Sequence, residues 1–414
     1  MGACCSTNDQ APDSYTDKDA SSKRTNSHAP EVFRFFMVGM GSAGKSTVIK
    51  QLQKLCHDRP EVYQMFDAEW NPINHRFQSH EMERYERLIR RNIFDALAVL
   101  EHYACEWELR PADSSTKASR VVEDAAGDIH SFAANHVVID QDVAQALIQL
   151  ISEGPIQAAL KRRADMLGEL QIADGTLHFL KEEKMKEVFS AGYSPSYDDI
   201  VHSRAPTTGI HDYRFGIRSM RIQIHDIGGQ RVERGKLLTF INNWVSADRS
   251  GYRNFILYVV SMAEYNVLHP QHPNITLLDE SIMMLQNILE LQPIQNCGLM
   301  IFFNKEDVFR EKIGRLDSAD AAVVDDALRV LGPHMKESER KHLRKGGEAA
   351  FEAARNAVAS KLTEAIRLVQ TKRYKGIYHK FTCAVDTKLM GSLFNAIENE
   401  LINFSIDTAS FLFP

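Results

Sequence analysis

The stretch Phe35-Phe36-Met37-Val38-Gly39-Met40-Gly41-Ser42-Ala43-Gly44-Lys45-Ser46-Thr47 constrains the chain more than any other. An apolar run of strand-forming residues collapses into glycines and then reopens with helix-period apolar residues at Val48, Ile49, Leu52 and Leu55. This is the form G-x-x-x-x-G-K-[ST], a phosphate-binding loop set between a strand and a helix. Glycines let the backbone turn tightly enough for successive N–H groups to converge on phosphate oxygens, and the helix N-terminus adds partial positive charge. Ser42, Ala43, Gly44 and Thr47 form the cradle, Lys45 reaches the β- and γ-phosphates, and Ser46 offers its hydroxyl to Mg²⁺. The loop alone indicates a nucleotide and leaves ATP and GTP both open.

At 414 residues the chain has room for two or three domains and a sizeable core. Its net charge of -6 provides no basic field for nucleic acid. The cysteines at 4, 5, 56, 105, 297 and 383 follow neither metal-ligand nor secreted-disulfide spacing, which points to a reducing compartment. No apolar run approaches the ~18 residues a spanning helix needs, and no signal-peptide core opens the chain. The start, Met1-Gly2-Ala3-Cys4-Cys5-Ser6, fits an N-myristoylation signal on Gly2. One acyl chain holds a membrane only marginally, so palmitate on Cys4 or Cys5 is the second anchor expected. Residues 6–30 are polar and read as flexible or weakly helical.

Val32–Val38 reads as a strand buried on both faces, followed by a helix to about Cys56. From about Asp58 to about Ser203 strand signal nearly vanishes, while Met82, Tyr85, Leu88, Ile89, Ile93, Leu97 and Leu100 trace a long amphipathic helix. Shorter helical segments follow at Val143–Ile151, Ile156–Leu167 and Leu177–Val188. The block 58–203 is therefore expected to be a helical domain inserted into a nucleotide-binding domain formed by 32–57 and 204–414, with 1–31 as a flexible acylated segment. Helices packed on the sheet of a single domain are the alternative. Strands resume at Arg221–His225, Phe255–Val260, Leu299–Phe303 and Tyr378–Ala384, separated by helices, the pattern of an α/β, doubly wound, mostly parallel sheet. The Ala-, Glu- and Lys-rich stretch 313–372 is expected to form exposed helices.

Three further motifs stand at the ends of expected strands. Asp226-Ile227-Gly228-Gly229 is a D-x-x-G turn, whose carboxylate can hold Mg²⁺ through water and whose Gly229 N–H can meet a γ-phosphate. In Asn304-Lys305-Glu306-Asp307, the Asp307 carboxylate matches the N1 and N2 protons of guanine, a pairing adenine cannot make. In Thr382-Cys383-Ala384, the Ala384 N–H is placed to meet guanine O6. Each is weak singly. Their order behind a phosphate loop, each at a strand end where parallel sheets bind ligands, makes a guanine nucleotide the expected ligand.

With these motifs the sequence resembles the alpha subunit of heterotrimeric G proteins over most of its length. Asp199 to Ile210 resembles that family's first switch and Asp226 to Arg234 its second. The resemblance implies a Ras-like GTPase domain with a mostly parallel six-stranded sheet and an inserted all-helical domain. It implies that Arg204 is an in-chain arginine finger and that Gln230 orients the attacking water. Thr207 would join Ser46 and Asp226 around Mg²⁺, and Asp174 with Gly175 would close over the nucleotide from the helical side. Val201, His202, Ser203 and Lys305 would lie beside the nucleotide. GTP and GDP, a beta-gamma dimer, a seven-helix receptor, an effector and the cytoplasmic face of the plasma membrane come with the resemblance. A permanently GTP-bound scaffold acting without receptor or beta-gamma is the alternative. The chain departs from the family at Ser42, where a glutamate pairs with the switch arginine, at Pro206 for a lysine, and at Leu237 for a tryptophan. It departs again at residues 271–281, in the long 313–372 stretch, and at the tail Phe411-Leu412-Phe413-Pro414.

Overall fold

A computed structural model describes residues 31–74, 76–111, 115–127, 138–166, 170–205, 207, 209–228, 239–241, 252–314, 321–370 and 377–412. Gly2, Cys4, Cys5, Pro206, Gly229, Gln230, Leu237 and the last two residues of the tail lie outside them. The strands in chain order are β1 (Val32–Val38), β2 (Tyr63–Phe66), β3 (Pro72–Ile73), β4 (Ile210–Ile217), β5 (Met220–Ile227), β6 (Tyr252–Ser261), β7 (Leu268–His269), β8 (His272–Thr276), β9 (Gly298–Asn304) and β10 (Ile377–Phe381).

The fold is α/β with a mostly parallel central sheet. Eight strands form it in the order β10-β9-β6-β1-β5-β4-β2-β3, and β7 and β8 pair separately. From β10 to β5 every pairing is parallel, and β4, β2 and β3 add antiparallel. The sheet therefore carries two strands beyond six. The extra pair, β2 and β3, comes from the segment expected to be wholly helical after residue 58. Its alternation spans only four residues, with Tyr63 and Met65 buried and Gln64 exposed, too short a period-2 signal to separate from a loop. Pairing with β4, Tyr63 opposite Ile217 and Met65 opposite Phe215, makes it a strand.

Every residue of β1 is buried, because side chains alternate between two packed faces. Phe36 and Val38 join Ile256, Tyr258, Leu299, Ile301 and Phe303 on one face. Phe35 and Met37 join Leu257, Val259, Met300 and Phe302 on the other, where α1 (Lys45–Asp58) packs through Val48, Ile49, Leu52 and Leu55. The first face is covered by the helix Leu277–Leu289 and by Gly347–Val369. That second helix corrects the expectation for 313–372. Its Ala350, Phe351, Ala354, Ala357, Val358, Leu362 and Ile366 are core residues. Alanines at helical spacing let it approach closely while its charges face outward, and composition alone registers only the charges.

Between β3 and β4 lie α2 (Ser79–Glu106), α3 (Lys117–Ala126), α4 (Gln141–Leu150), α5 (Gly154–Lys161), α6 (Glu182–Val188) and α7 (Tyr197–His202). They bury a hydrophobic cluster of their own, with Ile89, Ile93, Leu97 and Leu100 of α2 against Val122, Leu147, Leu150, Met185 and Val188. Thr116 caps α3 by accepting from Ser119 N–H at 3.0 Å, and Asp140 caps α4 by accepting from Val143 N–H at 2.9 Å.

Candidate nucleotide site

Register brings the strand ends to one edge of the sheet. Met37 lies opposite Asp226, Val38 opposite Tyr258, Ser261 opposite Asn304 and Phe381 opposite Phe303. The loops leaving β1, β6, β9 and β10 consequently meet above that edge. There they line a cavity of about 550 Å³, together with residues 173–175 and 201–205.

The phosphate loop is held open by its own geometry. Gly44 sits at φ +96°, and a Cβ there would lie 2.3 Å from Asn304 Nδ2, so both conformation and space call for glycine. Gly44 starts α1 without any side-chain cap, which leaves the first-turn N–H groups facing the cavity. The buried Lys45 ammonium donates to the carbonyls of Gly39 at 2.9 Å and Met40 at 3.0 Å, alongside the position phosphates would take. Ser42, Gly44, Lys45, Ser46 and Thr47 line the cavity, whereas Ala43 lies behind it, accepting from Asn304.

Beneath the loop, Ser46 and Thr207 share a short hydroxyl–hydroxyl hydrogen bond, and Ser46 Oγ donates to Asp226 Oδ2 at 3.2 Å. Asp226 is 1% exposed, and among the described residues its other oxygen has no hydrogen-bond partner. Burial pushes its carboxyl up to about 6, against the pull of Lys45 and Ser46. Two hydroxyls and a buried carboxylate with an unused oxygen form the hard-oxygen donor set that Mg²⁺ takes. Residues 46, 207 and 226 fit that ion.

On the base side, Asn304 acts as a three-way brace. Its Nδ2 donates to Ala43 O at 2.8 Å, while its Oδ1 accepts from Ala384 N–H at 3.0 Å and from Thr382 Oγ1 at 3.1 Å. Asp307 and Ala384 line the same end of the cavity. Burial pushes the Cys383 thiol up to about 12, so it stays protonated and hydrogen-bonds Asp307. Lys305 is held at φ +62° and pairs with Asp174 Oδ2 at 2.8 Å. Burial opposes both charges, but the pairing outweighs it: Lys305 is raised and Asp174 lowered from their ordinary values. A non-glycine residue at positive φ is strain retained where a site needs it. Gly175 follows, so close to α7 that a Cβ would lie 2.3 Å from His202 O.

Val201, His202, Ser203, Arg204 and Thr207 all line the cavity. Gln230 and Gly229 lie outside the described residues. Several groups in or beside the cavity escape sequence reading. Glu264, a 6% exposed carboxylate just past β6, accepts a short hydrogen bond from Ser42. Ser42 thus engages a carboxylate from another element. Lys50 donates to Ser203 O at 2.7 Å and Oγ at 3.0 Å, and burial lowers it to about 7. Asn92 bonds the main chain of Arg204. The only local signal for Glu264 was a charged residue ending an apolar strand; Lys50 and Asn92 had none.

The family model described as G-protein alpha subunit matches residues 9–401. A guanine nucleotide-binding protein subunit alpha of Coprinellus congregatus is 24% identical over 386 residues, covering 93% of this chain and 92% of the relative. The guanine nucleotide-binding protein subunit alpha-15 of Mus musculus is 23% identical over 401 residues, covering 92% of this chain and 89% of the relative. A family match over nearly the whole length, on a fold with a mostly parallel sheet and an inserted set of helices, settles the assignment. The chain belongs to the G-protein alpha subunit family, whose members bind guanine nucleotides in signalling.

Proposed function

We propose that the protein is a membrane-anchored switch that holds GTP or GDP with Mg²⁺ in the 550 Å³ cavity and slowly hydrolyses GTP to GDP and phosphate. The observation carrying this reading is the convergence of phosphate loop, buried Asp226, Asn304–Asp307 and Arg204 on one site. Lys45 and the first turn of α1 bind the phosphates. Asp307 accepts the two guanine protons, and Ala384, whose N–H is engaged by Asn304, lines the same end of the cavity beside the base. Ser46, Thr207 and Asp226 hold Mg²⁺, which neutralises charge on the phosphate oxygens. Arg204 spreads positive charge over the transferring phosphoryl group, and Gln230 orients the water. Loss of the γ-phosphate then releases residues 204–210 and 226–237, changing which partners bind.

Membership of the family and the acylation signal at Gly2, Cys4 and Cys5 support the remainder of the reading: attachment to the cytoplasmic face of the plasma membrane, and transduction from a seven-helix receptor, with a beta-gamma dimer, to an effector. Single-turnover hydrolysis tests the core of it. Arg204→Ala and Gln230→Leu should each slow the step on the order of a hundredfold or more; rates equal to wild type overturn the catalytic assignment. Nucleotide extracted from purified protein should be GDP, and GTP would instead favour a scaffold that scarcely hydrolyses. Gly2→Ala should release the protein from membranes on fractionation, and GDP-loaded protein should retain beta-gamma in a pull-down.

A further inference from the structure

Arg204 lies outside both flanking elements, since α7 ends at His202 and β4 starts at Ile210. A side chain there is only as well placed as the main chain beneath it. Two other elements grip that main chain. Asn92, in the middle of α2, presents its carboxamide edge to the Arg204 peptide groups: Arg204 N–H donates to Asn92 Oδ1 at 2.7 Å, and Asn92 Nδ2 donates to Arg204 O at 3.0 Å. One residue earlier, Lys50 of α1 donates to Ser203 O at 2.7 Å. A carboxamide offers a donor and an acceptor side by side, so it can bind both polar groups of one residue as a neighbouring strand would. Asn92 adds little to the helical packing, because it is partly exposed and its neighbours Ile93 and Phe94 supply the core contact.

We propose that Asn92 is a positioning residue for GTP hydrolysis: its carboxamide fixes the Arg204 main chain, so the arginine stands ready over the cavity only while α2 is docked beside it. The inference rests on the reading of Arg204 as the in-chain arginine. It makes the inserted helices a working part of the hydrolytic site as well as a cover for it. Lys50 holds the segment from α1 and Asn92 holds it from the inserted helices, so Arg204 is placed by both together.

Single-turnover GTP hydrolysis with excess protein tests this in wild type, Asn92→Ala, Arg204→Ala and the double variant. Asn92→Ala should hydrolyse about tenfold more slowly, with GDP affinity and melting temperature close to wild type. In the Arg204→Ala background, removing Asn92 should change the rate less than about twofold, because there is no guanidinium left to place. A single Asn92→Ala variant as fast as wild type overturns the proposal. So does an equal slowing in the Arg204→Ala background, which would make Asn92 a general brace. If Arg204→Ala itself matches wild type, the reading of the arginine falls, and this inference with it.

Discussion

Asn304→Ala removes three hydrogen bonds at the point where the phosphate loop, the end of β9 and the 382–384 loop meet. The bonds are to Ala43 O at 2.8 Å, from Ala384 N–H at 3.0 Å and from Thr382 Oγ1 at 3.1 Å, around a side chain only 2% exposed. At about 1 kcal/mol net for each, the loss of stability is about 3 kcal/mol, and the Ala43 carbonyl and Ala384 N–H left without partners make this a lower figure. All three bonds join protein groups to one another, so the cost appears in urea unfolding. Nucleotide must then reorder two loops that were already ordered in wild type, and the same ~3 kcal/mol transferred to binding weakens GDP about a hundredfold. Fluorescent-GDP titration measures that. A stability loss below about 1 kcal/mol together with a GDP affinity within about threefold of wild type would refute the reasoning, because the brace would then not exist in solution.

Gly175→Ala places a Cβ 2.3 Å from the His202 carbonyl, so the 174–178 turn must move off α7, and GDP release measured by stopped flow should accelerate at a cost of about 1–3 kcal/mol in stability. Burial raises Asp226 to about 6. Mg²⁺ needs its ionised form, so Mg²⁺ affinity of the GDP complex should fall about tenfold per pH unit below that value, a dependence missing from Asp226→Asn. His225, buried in β5 and stacked on Phe36, is lowered from 6.5 to about 4 by burial, with Asp212 opposing and Arg34 and Arg214 assisting. Its folded value is depressed, so the unfolded chain takes up the proton first. Stability is lost as pH falls from 6.5 towards 4, by up to about 3 kcal/mol, and denaturant titrations should show a shallower acid decline in His225→Phe.

What the sequence determined by itself was everything encoded within a few adjacent residues. The phosphate loop declares itself because strand, glycines, lysine and helix follow without interruption, and N-K-x-D and D-x-x-G mark strand ends by the same local grammar. The buried β1 and the long α2 were equally legible, since burial there repeats at a fixed period. Only the tertiary structure decided what each of these residues touches. β2 becomes a strand because β4, about 150 residues later, offers it an edge. The Gly347–Val369 helix turns inward because its alanines meet the sheet. Ser42 finds Glu264 across 222 positions, and Asn92 finds Arg204 across 112. The physical reason is common to all of them: a lone Asn, Ser or Glu has the same intrinsic preferences anywhere in a chain, and its role arises only when folding sets a complementary group at hydrogen-bond distance. Local pattern thus named the expected ligand, while long-range contact assembled the candidate site for it.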